Sequence, residues 1–97
     1  MGFAEDWKAW CDRPFPLDPP ASSALGFELR SIDTFAAGCL DTFSERGTLD
    51  EPRIAVLERC LRDLRPLLPQ VPESAGDYFN QFAELCGRAL GAVGRRN

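Results

Sequence analysis

The side chains with the greatest chemical potential are four cysteines, each more than twenty residues from the next: Cys11, Cys39, Cys60 and Cys86. Thiolates bind zinc, but a zinc site needs four ligands, usually from C-x-x-C pairs or histidines. The chain has no C-x-x-C pair and no histidine. Three of the cysteines lie on or beside apolar helix faces, which favours free thiols packed as small core residues. A thiolate metal site where three helices meet is the alternative.

The absence of histidine also limits catalysis, since histidine is the commonest general base. Ser/His/Asp and Cys/His nucleophile systems are therefore excluded. No glycine-rich phosphate loop occurs, and no spacing brings two carboxylates together for acid–base work. The sequence predicts that the protein is not an enzyme and has no cofactor.

Charge is distributed unevenly along the chain. The net charge is −4, which argues against binding to nucleic acid. Residues 1–50 carry nine acidic and four basic side chains, whereas residues 51–97 carry six acidic and seven basic ones. An acidic first half favours a partner protein with a basic surface. The expected contacts are Asp33, Asp41 and Glu45, and an ordinary solvated helix face is the alternative.

Three features bear on localisation. No apolar run approaches the roughly 18 residues of a membrane span, so no membrane contact is expected. The acidic N-terminus lacks the basic start and apolar core of a signal peptide. Ten arginines stand against one lysine, which is typical of a GC-rich bacterial genome. We predict a bacterial, cytoplasmic protein.

Apolar residues recur at alternating steps of three and four in three stretches, which places each set on one side of an α-helix. The three sets are Leu25, Leu29, Ile32, Ala36, Cys39 and Phe43; Ile54, Leu57, Leu61, Leu64 and Leu68; and Ala75, Phe79, Phe82, Cys86, Ala89 and Val93. They predict an all-α fold with helices at about 23–46, 51–65 and 73–92. Short links predict an antiparallel three-helix bundle in a single domain, 1–97.

Local signals mark the ends of these helices. Ser22 or Ser23 can cap the first helix, and Gly47 can end it in the left-handed conformation. Asp50 can cap the second helix. Pro66 must stop that helix near residue 64, and the prolines after it predict a non-helical link.

The N-terminal region predicts a short amphipathic helix at about 3–12, followed by a proline-rich strap at 13–21. We expect Phe15 and Leu17 to attach the strap to the bundle. Trp7 and Trp10 lie on one side of the short helix and are candidate partner anchors. The alternative is that they cover the small core, because so short a helix needs docking to persist.

A row of small residues, Ala83, Gly87 and Gly91, runs along the third long helix. Glycine within a helix costs about 1 kcal/mol relative to alanine, so this row invites an explanation. It is a candidate dimer seam, because it lets another backbone approach closely. The alternative is a frayed helix end, and residues 94–97 are expected to fray.

The leading functional hypothesis is a small, non-catalytic protein-binding module. An inhibitor, immunity protein or antitoxin-like partner of a larger bacterial protein fits its size, its acidity and the lack of catalytic groups. The alternative is a homodimeric structural or scaffold protein. A bundle that binds a ligand or metal is the third hypothesis.

Overall fold

The structure, a computed structural model, describes residues 2–93, and over this range the chain is all-α. Four α-helices are present: α1 Phe3–Cys11, α2 Ala24–Arg46, α3 Glu51–Leu64 and α4 Glu73–Val93. Their ends agree with the predicted ones to within one residue, and the helical prediction is confirmed. The expected frayed tail, 94–97, lies outside the described residues.

The predicted caps form at the helix ends. The Ser23 hydroxyl accepts a hydrogen bond from the backbone N–H of Gly26, and the Asp50 carboxylate accepts one from that of Arg53, each at 3.0 Å. Gly47 ends α2 with a φ of 76°, in the left-handed region that glycine enters without steric cost. These local bonds satisfy backbone groups that the helix itself leaves free.

One apolar core joins the helices, since α2 packs against α3 and α4, and α3 packs against α4. The three predicted stripes supply most of it. The largest fully buried side chains are Phe79, Phe82, Leu29, Leu40, Leu57, Leu64, Leu85 and Cys86. Periodic apolar spacing therefore identified the faces that pack together.

The short helix α1 contacts α2 and α4 through its two tryptophans. The Trp10 ring stacks on Phe82 with centroids 4.6 Å apart, and it lies 4.5 Å from the ring of Tyr78. The Trp10 indole N–H donates to the backbone carbonyl of Tyr78 at 3.1 Å. A helix of nine residues is too short to persist alone in water, so this docking stabilises it.

The link between α3 and α4 differs from its prediction. It was expected to be non-helical, but Arg65–Gln70 forms a 3-10 helix that contains Pro66 and Pro69. The proline φ near −65° suits this conformation, and a proline in the first turn loses no hydrogen bond. The α-helix itself ends at Leu64, as predicted.

Two residues predicted to attach the strap, 13–21, have different environments. The Phe15 ring lies 5.5 Å from the Tyr78 ring and 5.7 Å from the Phe79 ring. The Arg30 guanidinium lies over the other side of Phe15, 4.3 Å from its centroid. Leu17, in contrast, is 86% exposed, so its predicted role is wrong. Packing of the whole strap on the bundle stays a prediction.

The end of the strap meets α2 at Gly26, which offers a direct test of this packing. A Cβ added at Gly26 would lie 2.7 Å from the carbonyl carbon of Pro20 and closer still to its oxygen. At Gly38, in the same helix, an added Cβ would meet nothing within 4 Å. The two glycines therefore form a matched pair.

We expect Gly26→Ala to lower the free energy of unfolding by about 1–3 kcal/mol, because the new methyl group overlaps backbone that cannot easily move. Gly38→Ala should raise it by about 0.5–1 kcal/mol, because alanine favours the helix and the site is open. Urea unfolding measures both. If the two variants have equal stability, residue 20 does not lie against α2 and the proposed strap packing is wrong.

Candidate functional site

The two tryptophans proposed as partner anchors are buried within the chain. Trp7 is 4% exposed and Trp10 is 3% exposed. Their rings stack on each other with centroids 5.3 Å apart, and both indole N–H groups have partners in the same chain. The buried positions of the two tryptophans agree with the alternative interpretation, in which they cover the core. A partner could contact these side chains only if α1 moved away.

The three acidic residues proposed as partner contacts do not form one free surface. Asp41 accepts a hydrogen bond from the Trp7 indole N–H at 2.7 Å. Asp33 is half-buried, and desolvation raises its pKa, although the nearby Arg30 opposes that shift. Glu45 is exposed, one turn beyond Asp41. Asp33 is thus partly covered by the chain itself, and Asp41 is exposed but already accepts a hydrogen bond.

The three core thiols belong to Cys39, Cys60 and Cys86, one each from α2, α3 and α4. Burial raises the pKa of Cys60 to about 11 and that of Cys86 to about 12. The pKa of Cys39 is also raised by burial. The reactive form of cysteine is the thiolate, so these protonated thiols behave at neutral pH as small apolar side chains.

Two further features of the described residues bear on the predictions about metals and membranes. Between residues 2 and 93, no cluster of three or more histidine, cysteine or carboxylate side chains is arranged to hold a metal ion. Within the same range, no helix combines the length and apolar character that crossing a bilayer requires.

The outer side of α2 carries a stripe without charge, which we call the α2 ridge. Its members follow the helical repeat and are exposed except for Ser31 and Thr42, which are half-buried: Ala24, Phe27, Ser31, Thr34, Phe35, Gly38 and Thr42. Phe27 is 69% exposed and Phe35 is 64% exposed. In a chain with 27% charged residues, such a stripe is a candidate interaction surface.

The hydroxyl groups of the α2 ridge are already satisfied. Ser31 donates to the carbonyl of Phe27 at 3.0 Å, Thr34 to that of Arg30 at 2.9 Å, and Thr42 to that of Gly38 at 3.1 Å. Burying a donor without a partner costs about 1–3 kcal/mol. Because these donors keep their bonds within α2, the ridge can be covered without that cost.

A groove of about 410 Å³ lies beside the α2 ridge, between α2 and α3. It is lined by Glu28, Ser31, Ile32 and Phe35 from α2, and by Val56, Arg59, Cys60 and Asp63 from α3. Val56 is 40% exposed at this site. The groove therefore combines an apolar lining with a few charged side chains, as is common in binding sites.

The charged residues of the groove form no ion pairs with other residues between 2 and 93. Within residues 2–93, Glu28, Arg59 and Asp63 each lack an oppositely charged group within 4.0 Å. Asp63 and Arg59 stand four residues apart on α3, a spacing that permits a weak pair, yet none forms. All three charges are therefore available to a bound molecule.

The proposed dimer seam on α4 is largely uncovered. Ala83 and Gly87 are half-buried and Gly91 is exposed. A Cβ added at Gly87 or Gly91 would meet nothing within 4 Å. Open space therefore lies beside Gly87 and Gly91, whereas Ala83 packs against the core.

Sequence reasoning missed Phe27, Phe35 and Val56, although a signal for them exists. Each is a large apolar residue that falls outside the apolar stripe of its own helix. Such a residue has no place in the core that the stripe builds, so it marks either a second packing partner or an exposed contact.

Comparison of the chain with known proteins found no matching family model, curated protein or solved structure. Arguments about its function therefore depend on its own residues.

The bond between Trp7 and Asp41 predicts unequal effects for two neighbouring acidic residues. We expect Asp41→Ala to lower the free energy of unfolding by about 1–2 kcal/mol, because it leaves the buried indole N–H without an acceptor. Glu45→Ala is the matched control and should change stability by less than about 0.5 kcal/mol. Urea unfolding measures both, and equal losses would show that the indole bond contributes nothing.

Proposed function

We propose that this protein is a non-catalytic protein-binding module, an inhibitor, immunity protein or antitoxin-like partner of a larger bacterial protein. Its contact surface comprises the α2 ridge and the groove beside it. The observation that carries the proposal is the pair of exposed phenylalanines on a ridge without charge. Aromatic side chains in such positions are favoured anchors at protein interfaces.

The geometry of the groove follows from the finer arrangement of the helices. We infer that α2, α3 and α4 form an antiparallel bundle. Residues 47–50 form a short link, and the Cys39 thiol lies 3.6 Å from the carbonyl oxygen of Arg53, which supports opposite directions for α2 and α3. In this arrangement Glu28 lies opposite Asp63, and Phe35 lies opposite Val56.

The acidic character of the chain also supports a partner that carries basic residues. We propose Glu28 and Asp63, which line the groove, as further acidic contacts, and the contacts at Asp33, Asp41 and Glu45 stay predictions. The proposal includes a cytoplasmic location, which the free cysteines suit.

Capture of a partner from the native host tests this surface. We expect Phe35→Ser to reduce capture at least tenfold, because interface aromatic residues contribute much of the binding energy. Its own folding should change little, since the side chain is mostly exposed. Leu17→Ser is the matched control, because it removes an exposed apolar side chain that belongs neither to the α2 ridge nor to the groove lining.

The expected result is one protein captured by the wild-type chain and by Leu17→Ser but lost with Phe35→Ser. Equal capture by all three chains would show that the α2 surface is not the contact. Circular dichroism of each variant verifies that the helices remain intact.

Self-association is the second candidate function, and the open side of α4 favours it. We expect that, if Ala83, Gly87 and Gly91 form a dimer seam, light scattering at micromolar concentration will give twice the chain mass. Gly87→Glu should return the protein to a monomer, because the new side chain and charge block close approach. A wild-type chain that is strictly monomeric would exclude this function.

A further inference from the structure

We propose that the groove between α2 and α3 binds one amphipathic helix of the partner, with a lysine or arginine of that helix meeting Glu28 and Asp63. This inference rests on the proposed function, whose binding surface it makes specific. It depends on three observations: the size of the surface, the distribution of its charges and the state of its polar groups.

The size of the surface favours one helix over a second copy of the chain. From Ala24 to Thr42 the α2 ridge is about 27 Å long, and at a width of about 10 Å it offers about 270 Å². Including the groove roughly doubles this area. A stable dimer takes about 800 Å² from each partner, which exceeds what this face provides. A single helix that lies along a groove fits it.

The charged residues are distributed unevenly along the groove. In the antiparallel arrangement proposed above, Glu28 and Asp63 lie at one end of the groove and Phe35 and Val56 at the other, with Arg59 between them, one turn of α3 from Asp63. Glu28 and Phe35 are seven residues apart on α2, which corresponds to about 10 Å along the helix. If a bound helix places an apolar residue beside Phe35, another side chain about two turns along that helix reaches the end of the groove that holds Glu28 and Asp63. A cationic side chain there is complementary to the two carboxylates.

The polar groups beside the groove do not oppose the binding of a ligand over it. The Ser31 hydroxyl donates to the Phe27 carbonyl, so it needs nothing from the ligand. Cys60 forms part of the groove wall, and burial of its thiol keeps it protonated and uncharged at neutral pH. Ile32 and Cys60 thus offer apolar contacts in the central part of the groove, beside the charged Arg59.

Two synthetic peptides that differ only in charge test the inference on the full chain. Each is an amphipathic helix of about 16 residues with leucine anchors in the middle. One carries lysine about two turns to either side of the anchors, and the other carries glutamate at the same positions. Calorimetry should show that the lysine peptide binds roughly fivefold more tightly, as expected for partly exposed ion pairs.

Variants of the chain assign the effect to the groove. Glu28→Lys should remove the preference for the lysine peptide, whereas Glu45→Lys makes the same change of charge outside the groove and should retain it. Phe35→Ser should weaken binding of both peptides at least tenfold.

The outcomes separate this inference from the proposed function. Equal affinity for the two peptides, with binding lost in Phe35→Ser, overturns the cationic contact and leaves the binding surface intact. Failure of the lysine peptide to bind at about 1 mM overturns the helix-binding groove. Concentration-dependent dimers that Phe35→Ser abolishes would show that a second copy occupies the groove and would also overturn the inference. The proposed function is judged separately by partner capture.

Discussion

Docking of α1 onto α2 and α4 is the interaction on which the arrangement of surfaces depends. The Trp10 ring lies against Tyr78 and Phe82, and the neighbouring Trp7 binds Asp41. The Trp7 bond covers part of the α2 surface with one of the chain's own side chains. Phe27 and Phe35, in contrast, are 69% and 64% exposed. The position of a nine-residue helix thereby limits which part of α2 remains available for recognition.

The distribution of reactive and apolar groups follows from the same packing. The three core thiols occupy sites where desolvation suppresses ionisation, with the pKa of Cys86 raised to about 12. Large apolar side chains, in contrast, lie exposed on the surface of α2, as Phe27 and Phe35 do. A small domain has limited core volume, and side chains that fall outside its helical stripes remain exposed. Phe35 and Val56 are examples, and together they form one end of the groove.

The sequence was sufficient for the helices because their signals are local. The spacing of apolar residues and the caps at Ser23 and Asp50 act within a few turns of the chain. The site depends on contacts between residues that are far apart in the sequence, and no local pattern predicts such contacts. Asp41 was expected to face a partner because its own helix leaves it exposed, but its indole donor comes from residue 7. Leu17 shows the converse, because this apolar residue of the strap was expected to contact the bundle but is exposed.

One exposed cysteine, Cys11, stands at the carboxyl end of α1, while the other three are buried. Its pKa is raised, first by desolvation and then by the nearby carboxylates of Asp41, Asp12 and Asp33. Because Cys11 is exposed and the other three thiols are buried, alkylating reagents should modify Cys11 ahead of the rest, in mildly alkaline solution that offsets its raised pKa. The natural sequence thus offers a single attachment point for a fluorophore or spin label. A probe at this point would report directly whether the N-terminal segment stays seated when another molecule binds.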